Sequence, residues 1–96
     1  MTSLCAVVPV FDHELAVGPT TAGLRAHGLT VLLVDDGSGP ACAEELRRLA
    51  AADPEVRLLR LPENRGKGAA VLAGLKFAAA AGFTHALQID ADGQHD

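Results

Sequence analysis

Two carboxylates separated by a single residue, Asp90 and Asp92, follow the apolar run Ala86-Leu87-Gln88-Ile89 in a chain of 96 residues. Carboxylates held that close repel one another and are costly to keep charged unless a cation stands between them. A hard divalent cation, Mg²⁺ or Mn²⁺, takes oxygen ligands and meets that need, and the cation can in turn hold a diphosphate. Gly93, Gln94, His95 and Asp96 complete the stretch. The same residue types also make an ordinary solvated turn after a strand. What stands elsewhere in the chain bears on the choice.

Three further polar clusters carry chemistry. Asp35-Asp36-Gly37-Ser38 follows an apolar run. Asp and Ser are good helix N-caps, yet two adjacent acids exceed what a cap requires, and one is free to accept from a base N–H or a ribose hydroxyl. Asp12-His13-Glu14 forms a second cluster, and Asn64-Arg65-Gly66-Lys67-Gly68 a third. The third is not a Walker loop, because Gly68 stands where Ser or Thr must follow the lysine. Nor does it fit the dinucleotide fingerprint, which needs a small residue where Val71 stands and belongs after the first strand. A helix N-terminus with a flexible entry and a lysine remains, favourable to an anion or no more than an entry. Asp90-Ala91-Asp92-Gly93 also looks like the nucleophile motif of haloacid-dehalogenase-type phosphatases. That motif follows a first strand, with Thr or Val where Gln94 stands here. His13, His27, His85 and His95 are too scattered for a zinc site.

Secondary elements must position these clusters. Leu4–Val10 is a continuous apolar run of strand length, suited to a central parallel strand, with Pro9 expected to stop ladder pairing. Pro19 opens a helix to about His27, with Gly28 as its stop. Thr30–Val34 is a second strand, Pro40 to about Ala52 a second helix, and Val56–Leu61 a third strand nearer a sheet edge. A long alanine-rich helix runs from about Ala69 to Ala81, and a fourth strand covers residues 84–89. The order βαβαβαβ predicts an α/β fold with a parallel sheet and helices on both faces. In such sheets ligands bind outside the carboxyl ends of the strands, near the switch point. Every polar cluster falls at such an end.

Composition narrows the function. The chain is 49% hydrophobic and 3% aromatic, which suits helices on a sheet. Its net charge is −4, and no basic run exceeds Arg47-Arg48, which argues against a nucleic-acid groove. An acidic protein can still bind a phosphorylated ligand where a metal or a helix N-terminus supplies the positive field. Cys5 and Cys42 have no metal-ligand spacing, and Cys5 in a strand reads as a buried free thiol in a reducing cytosol. No apolar run approaches the ~20 residues needed to span a bilayer.

With these residues in place, the chain resembles family 2 glycosyltransferases of the GT-A fold. The matching stretches are Val7-Val8-Pro9-Val10, Val34-Asp35-Asp36-Gly37-Ser38, Glu63-Asn64-Arg65-Gly66-Lys67-Gly68 and residues 87–95. They stand in the family's order and spacing over nearly the whole chain. The Asp-Ala-Asp-Gly-Gln-His tip is most similar to the polyprenyl-phosphate mannosyltransferase branch. The resemblance implies a Rossmann-like nucleotide-binding half of a GT-A domain. It implies nucleotide contacts at Pro9, Val10, Glu14, Asp35, Asp36, Asn64, Gly66, Lys67, Asp90 and Ala91. It implies metal contacts at Asp90, Asp92 and Gln94. Phe11-Asp12-His13-Glu14 departs from the family's more frequent Tyr-Asn and polar pair, at the nucleobase end. Family members continue for at least another hundred or so residues, so residues 1–96 read as the donor half, as a fragment or a truncated product. The acceptor pocket and catalytic base are then expected elsewhere.

The implied function is transfer of a sugar from a nucleotide-diphosphate sugar to a polyprenyl phosphate, a glycolipid or a polysaccharide. The implied location is the cytoplasm, at the inner face of the membrane, with surface association through the missing part. The alternatives are a non-catalytic nucleotide-binding module and a phosphatase using Asp90.

Overall fold

The computed structural model of the chain describes residues 2–91. Four strands, β1 (Leu4–Val10), β2 (Thr30–Asp36), β3 (Val56–Leu61) and β4 (His85–Gln88), form one sheet in the order β3-β2-β1-β4. All three pairings are parallel. The connections are α1 (Val17–Ala26), α2 (Pro40–Ala52) and α3 (Lys67–Ala80). The βαβαβαβ order and the α/β class are those the sequence predicts, and β3 does lie at an edge.

The two most apolar strands take the centre because they are covered on both faces. Val8, Val10, Val31 and Leu33 pack on one face against Val17 of α1 and Cys42 and Leu46 of α2. Cys5, Val7, Leu32 and Val34 pack on the other against Ala70 and Ala78 of α3. Alternate residues thus serve different helices, so β1 and β2 read as unbroken apolar runs. Each fully buried Val or Leu contributes about 1.5–3 kcal/mol relative to exposure. Helix α3 comes close to the sheet because its buried stripe is Ala70, Gly74 and Ala78. A Cβ on Gly74 would run into Val7 and stand 2.9 Å from Val34 Cγ2. Cys5 and Cys42 are both free and buried, on opposite faces, and desolvation pushes the Cys5 thiol up.

Several boundaries differ from expectation for physical reasons. Strand β2 runs past Val34 to Asp36, because Asp35 pairs with both Val10 and Arg60, and Asp36 with Leu61. The register holds the two acids in the ladder. Pro9 ends pairing on one side only. Ladder β1·β4 stops at Val7, whose carbonyl accepts the N–H of Ile89 at 3.0 Å, whereas Pro9 stays in register with Val34 of β2. Alternate residues bond to alternate neighbours, so the donor that Pro9 lacks falls on the β4 side. Helix α1 begins two residues before Pro19, which a first turn tolerates because its N–H groups have no intrahelical acceptor. Strand β4 is shorter than expected. Thr84 instead exchanges hydrogen bonds with Ser3, accepting the Ser3 N–H at 2.8 Å and donating its own N–H to Ser3 Oγ at 3.1 Å. Among the described residues no helix is long and apolar enough to cross a membrane.

Candidate functional site

The chain steps from β1 to β2 to β3 in one direction. Helix α3 then crosses back over β2 and β1, and β4 lands on the far side of β1. Where the direction reverses, the loops leave the strands to opposite sides and a crevice opens at the carboxyl ends. An open cleft of about 340 Å³ lies there, within the range of small-molecule sites. Its walls are Pro9, Val10, Phe11 and His13 from the end of β1, Asp36 from β2, and Asn64, Gly66 and Lys67 from the start of α3. Asp90 and Ala91 after β4 complete it.

Asp36 is the organising residue of this end of the sheet. Its side chain points to the α3 face and is buried. Oδ1 accepts the N–H of Arg65 at 2.8 Å, and Oδ2 accepts the N–H of Gly66 at 2.9 Å. The Asn64 side-chain amide donates to Oδ2 at 3.1 Å and to the Asp36 carbonyl at 3.2 Å. One carboxylate thus fixes residues 64–66, the entry to α3. Gly37 lets this loop come close. Its φ is +73°, and a Cβ there would meet the backbone of Glu63 and Asn64. Helix α3 then starts at Lys67 with no side chain capping it. Such an N-terminus carries unsatisfied N–H groups and a partial positive charge, and it favours an anion.

Asp35 points to the other face and is only 1% exposed. Its Oδ1 accepts the Ser38 N–H at 2.8 Å, shaping the turn into α2. Its Oδ2 is buried without a hydrogen bond, and Arg60 Nε at 3.7 Å is a charge contact too long to be one. The turn is tied to the loop after β1. Asp12 donates its N–H to Ser38 Oγ at 3.0 Å and accepts the Gly39 N–H on Oδ1 at 2.8 Å. Asp12 holds a left-handed backbone, φ 55°, which Asp tolerates better than most residues.

The charged end of the cleft is built by Lys67 and Asp90. Lys67 Nζ lies 2.6 Å from Asp90 Oδ1, linking the first residue of α3 to the segment after β4. The Gln88 side-chain amide donates to the same oxygen at 3.2 Å. Ala91 is buried, and its carbonyl accepts from Thr20 Oγ of α1 at 3.4 Å, which anchors this segment to the body. Apolar residues line the cleft as well. Pro9, Val10 and Phe11, the last 44% exposed, supply this lining, and His13 lines the cleft too, its Nδ1 buried and without a hydrogen bond among the described residues. A cleft that combines an anion-favouring helix N-terminus with apolar lining suits a ligand with a phosphate group and a flat ring.

Of the nucleotide-contact residues named from the sequence, Pro9, Val10, Asp36, Asn64, Gly66, Lys67, Asp90 and Ala91 all line one cleft. Asp35 and Glu14 do not line it. Asp92 and Gln94, named for the metal, lie outside the described residues. Among the described residues no group of three or more His, Cys, Asp or Glu side chains is placed to hold a metal. Among the described residues the carboxylates lining the cleft are Asp36, which accepts from the 64–66 loop, and Asp90. Phe11 and His13 are additional. Their signal was position, directly after a strand whose carboxyl end is a wall of the site.

The sequence model of Glycosyl transferase family 2 matches residues 5–96. The chain is 38% identical over 93 residues to a polyprenol monophosphomannose synthase of Mycolicibacterium smegmatis, covering 93% of this chain and 35% of that protein. It is 30% identical over 92 residues to an undecaprenyl-phosphate mannosyltransferase of Micrococcus luteus, covering 93% and 37%. It therefore spans about a third of the length of these relatives. Its fold is similar to the mannosyltransferase PcManGT from Pyrobaculum calidifontis, solved in complex with GDP-Man and Mn²⁺. The TM-score is 0.75 at 22% identity, over 93% of this chain and 27% of that one.

Proposed function

The chain belongs to glycosyl transferase family 2, and we propose that it is the donor-binding part of an enzyme transferring a sugar from a nucleotide-diphosphate sugar to a polyprenyl phosphate. The observation that carries this reading is the cleft itself. It brings together an uncapped helix N-terminus, the Lys67–Asp90 pair and the apolar residues Pro9, Val10 and Phe11. The relatives' activities favour mannose as the sugar, and the GDP-Man complex of the structural neighbour favours guanosine as the nucleoside. Pro9, Val10 and Phe11 flank the nucleobase, with Asp36, Asn64 and Gly66 shaping the pocket behind the ribose. The diphosphate lies toward Lys67 and Asp90. Asp35, buried in β2, supports this end through the turn it shapes into α2, and Glu14 follows in the loop after β1.

The carboxylate of Asp90 is a hard oxygen donor, and with Asp92 and Gln94 it would hold a cation such as Mg²⁺ or Mn²⁺. Such a cation supplies charge against the departing diphosphate. The chain's own residues bind and orient. Lys67 and the first turn of α3 stabilise negative charge that grows as the bond to the sugar breaks. A polyprenyl phosphate, with its second pKa near 6, is already largely dianionic at neutral pH and can attack with one of its own oxygens. That acceptor is a membrane lipid and the nucleotide-sugar donor is cytoplasmic, which together favour a reaction at the inner face of the membrane.

The test is transfer from GDP-mannose and, in parallel, UDP-glucose to undecaprenyl phosphate by the longer protein that contains this chain. Mannosyl-lipid product that disappears with EDTA is the expected result. Release of inorganic phosphate from phosphate esters, with no glycosylated lipid from either donor, would replace this reading with a phosphatase.

A further inference from the structure

His13 lines the cleft, and Nδ1 of its ring is closed to water with no hydrogen bond among the described residues. A buried polar atom without a partner is costly, and such atoms are few in folded proteins. The other polar side chains of the cleft are engaged, Asp36 with Asn64 and the 64–66 loop, and Lys67 with Asp90. The backbone on both sides of the His13 ring is already committed. The His13 carbonyl accepts the N–H groups of Ala16 and Val17 at 3.1 and 3.0 Å, which closes the turn into α1. Asp12 before it is tied to Ser38 Oγ at 3.0 Å and to the Gly39 N–H at 2.8 Å, and holds φ 55°. These bonds set His13 in the cleft wall and leave Nδ1 unsatisfied. The ring itself can still turn, because the torsion about Cβ–Cγ is broad. A neutral imidazole has one donor and one acceptor nitrogen, so Nδ1 can serve either an N–H or a carbonyl of a ligand.

We propose that His13 reads the edge of the nucleobase through Nδ1 and so sets which base the cleft accepts. This rests on the nucleoside-diphosphate reading above. The apolar side chains of the cleft, Pro9, Val10 and Phe11, offer contact to the face of any flat ring alike. Guanine and uracil differ in their polar edges. Discrimination between them needs a protein group that the wrong base leaves unpaired. His13 is the lining side chain with such a group to give. Its nitrogen gains on binding a partner that the fold does not supply, so the cost of holding it unpaired falls on the free protein and is relieved in the complex. His13 is therefore a specificity-determining residue whose removal moves stability and affinity in opposite directions.

Calorimetry with GDP, UDP and inorganic pyrophosphate compares wild type with His13→Leu and His13→Asn. Leucine is close to histidine in volume and removes both nitrogens. Asparagine places its amide group where Nδ1 stands. In His13→Leu the preferred of the two nucleotides, expected to be GDP, should bind about tenfold more weakly, with the other nucleotide and pyrophosphate moved less than about twofold. His13→Asn should keep that affinity within about threefold of wild type. Melting curves give the second readout: His13→Leu should melt about 2–5 °C higher, because it removes an unpaired buried atom. A residue that only shaped the wall would lose stability and affinity together. Equal weakening of GDP and UDP, weakening of pyrophosphate, or a nucleotide preference that survives in His13→Leu overturns the base reading. A wild type that binds pyrophosphate but neither nucleotide defeats the donor reading and this inference with it. A wild type that binds both nucleotides, with their ratio unaltered in His13→Leu, defeats this inference alone.

Discussion

Asp36→Ala is expected to lower the melting temperature by about 10 °C or more and to weaken nucleotide binding at least tenfold, roughly. The carboxylate accepts from two backbone N–H groups and one side-chain amide, all in the segment that leads into α3. Hydrogen bonds to a charged acceptor are each worth about 1.5–3 kcal/mol. Residues 64 and 65 are exposed, so water can replace part of what is lost, and a net effect of about 2–3 kcal/mol is reasonable. For a domain of this size each kcal/mol moves the midpoint by about 4–8 °C. The binding loss has a separate origin. Asn64, Gly66 and Lys67 line the cleft, and Asp36 supplies the hydrogen bonds that hold residues 64–66 in place. Asp36→Asn retains one acceptor and should fall between wild type and Asp36→Ala. Thermal scans and GDP titrations of the three proteins check the order. A shift below about 2 °C for Asp36→Ala would mean that the loop is held by something other than this carboxylate.

Asp92→Asn in the longer enzyme is expected to reduce kcat by about 10²–10³, the usual effect of removing one electrostatic contact to developing charge. The paired spacing of Asp90 and Asp92 suits a hard-cation site, where a carboxylate oxygen contributes more than an amide. Charge on the departing diphosphate is largest in the transition state, so the loss appears in kcat. Asp35→Asn makes the contrast. Asp35 does not line the cleft, its side chain is buried, and Oδ1 shapes the turn into α2. Its substitution should act on stability and on KM, with kcat little changed. Steady-state kinetics and melting curves for both variants separate the two roles. A kcat for Asp92→Asn within about threefold of wild type would make the Asp-x-Asp tip a solvated turn.

The four strands and three helices were legible because each carries one consistent period. Residues 5–10 and 31–34 are buried on both faces and read as continuous apolar runs, while α2 is framed by Pro40 and Asp53-Pro54. The convergence of four polar loops on one edge followed from the βαβ order alone, since right-handed crossovers leave all carboxyl ends together. What stayed hidden were facts of register. Nothing local to Asp35-Asp36 says that both lie inside the ladder, one facing each side of the sheet. That comes from pairing with Val10 and Leu61, residues 25 away in the chain on either side. The Lys67–Asp90 contact depends on where α3 begins, two residues earlier than the alanine run suggested. His13 was seen in a polar loop, but its place beside Phe11 depends on how Asp12 bends the backbone toward Ser38.

The central claim is that this cleft binds a nucleoside diphosphate together with a divalent cation. Calorimetric titration of the chain with GDP, first in Mn²⁺ and then in EDTA, tests it most directly. Binding in Mn²⁺ that weakens by about tenfold or more in EDTA is the expected result, a difference of about 1.4 kcal/mol or more. Equal affinity in the two buffers would contradict it and remove the metal from the site.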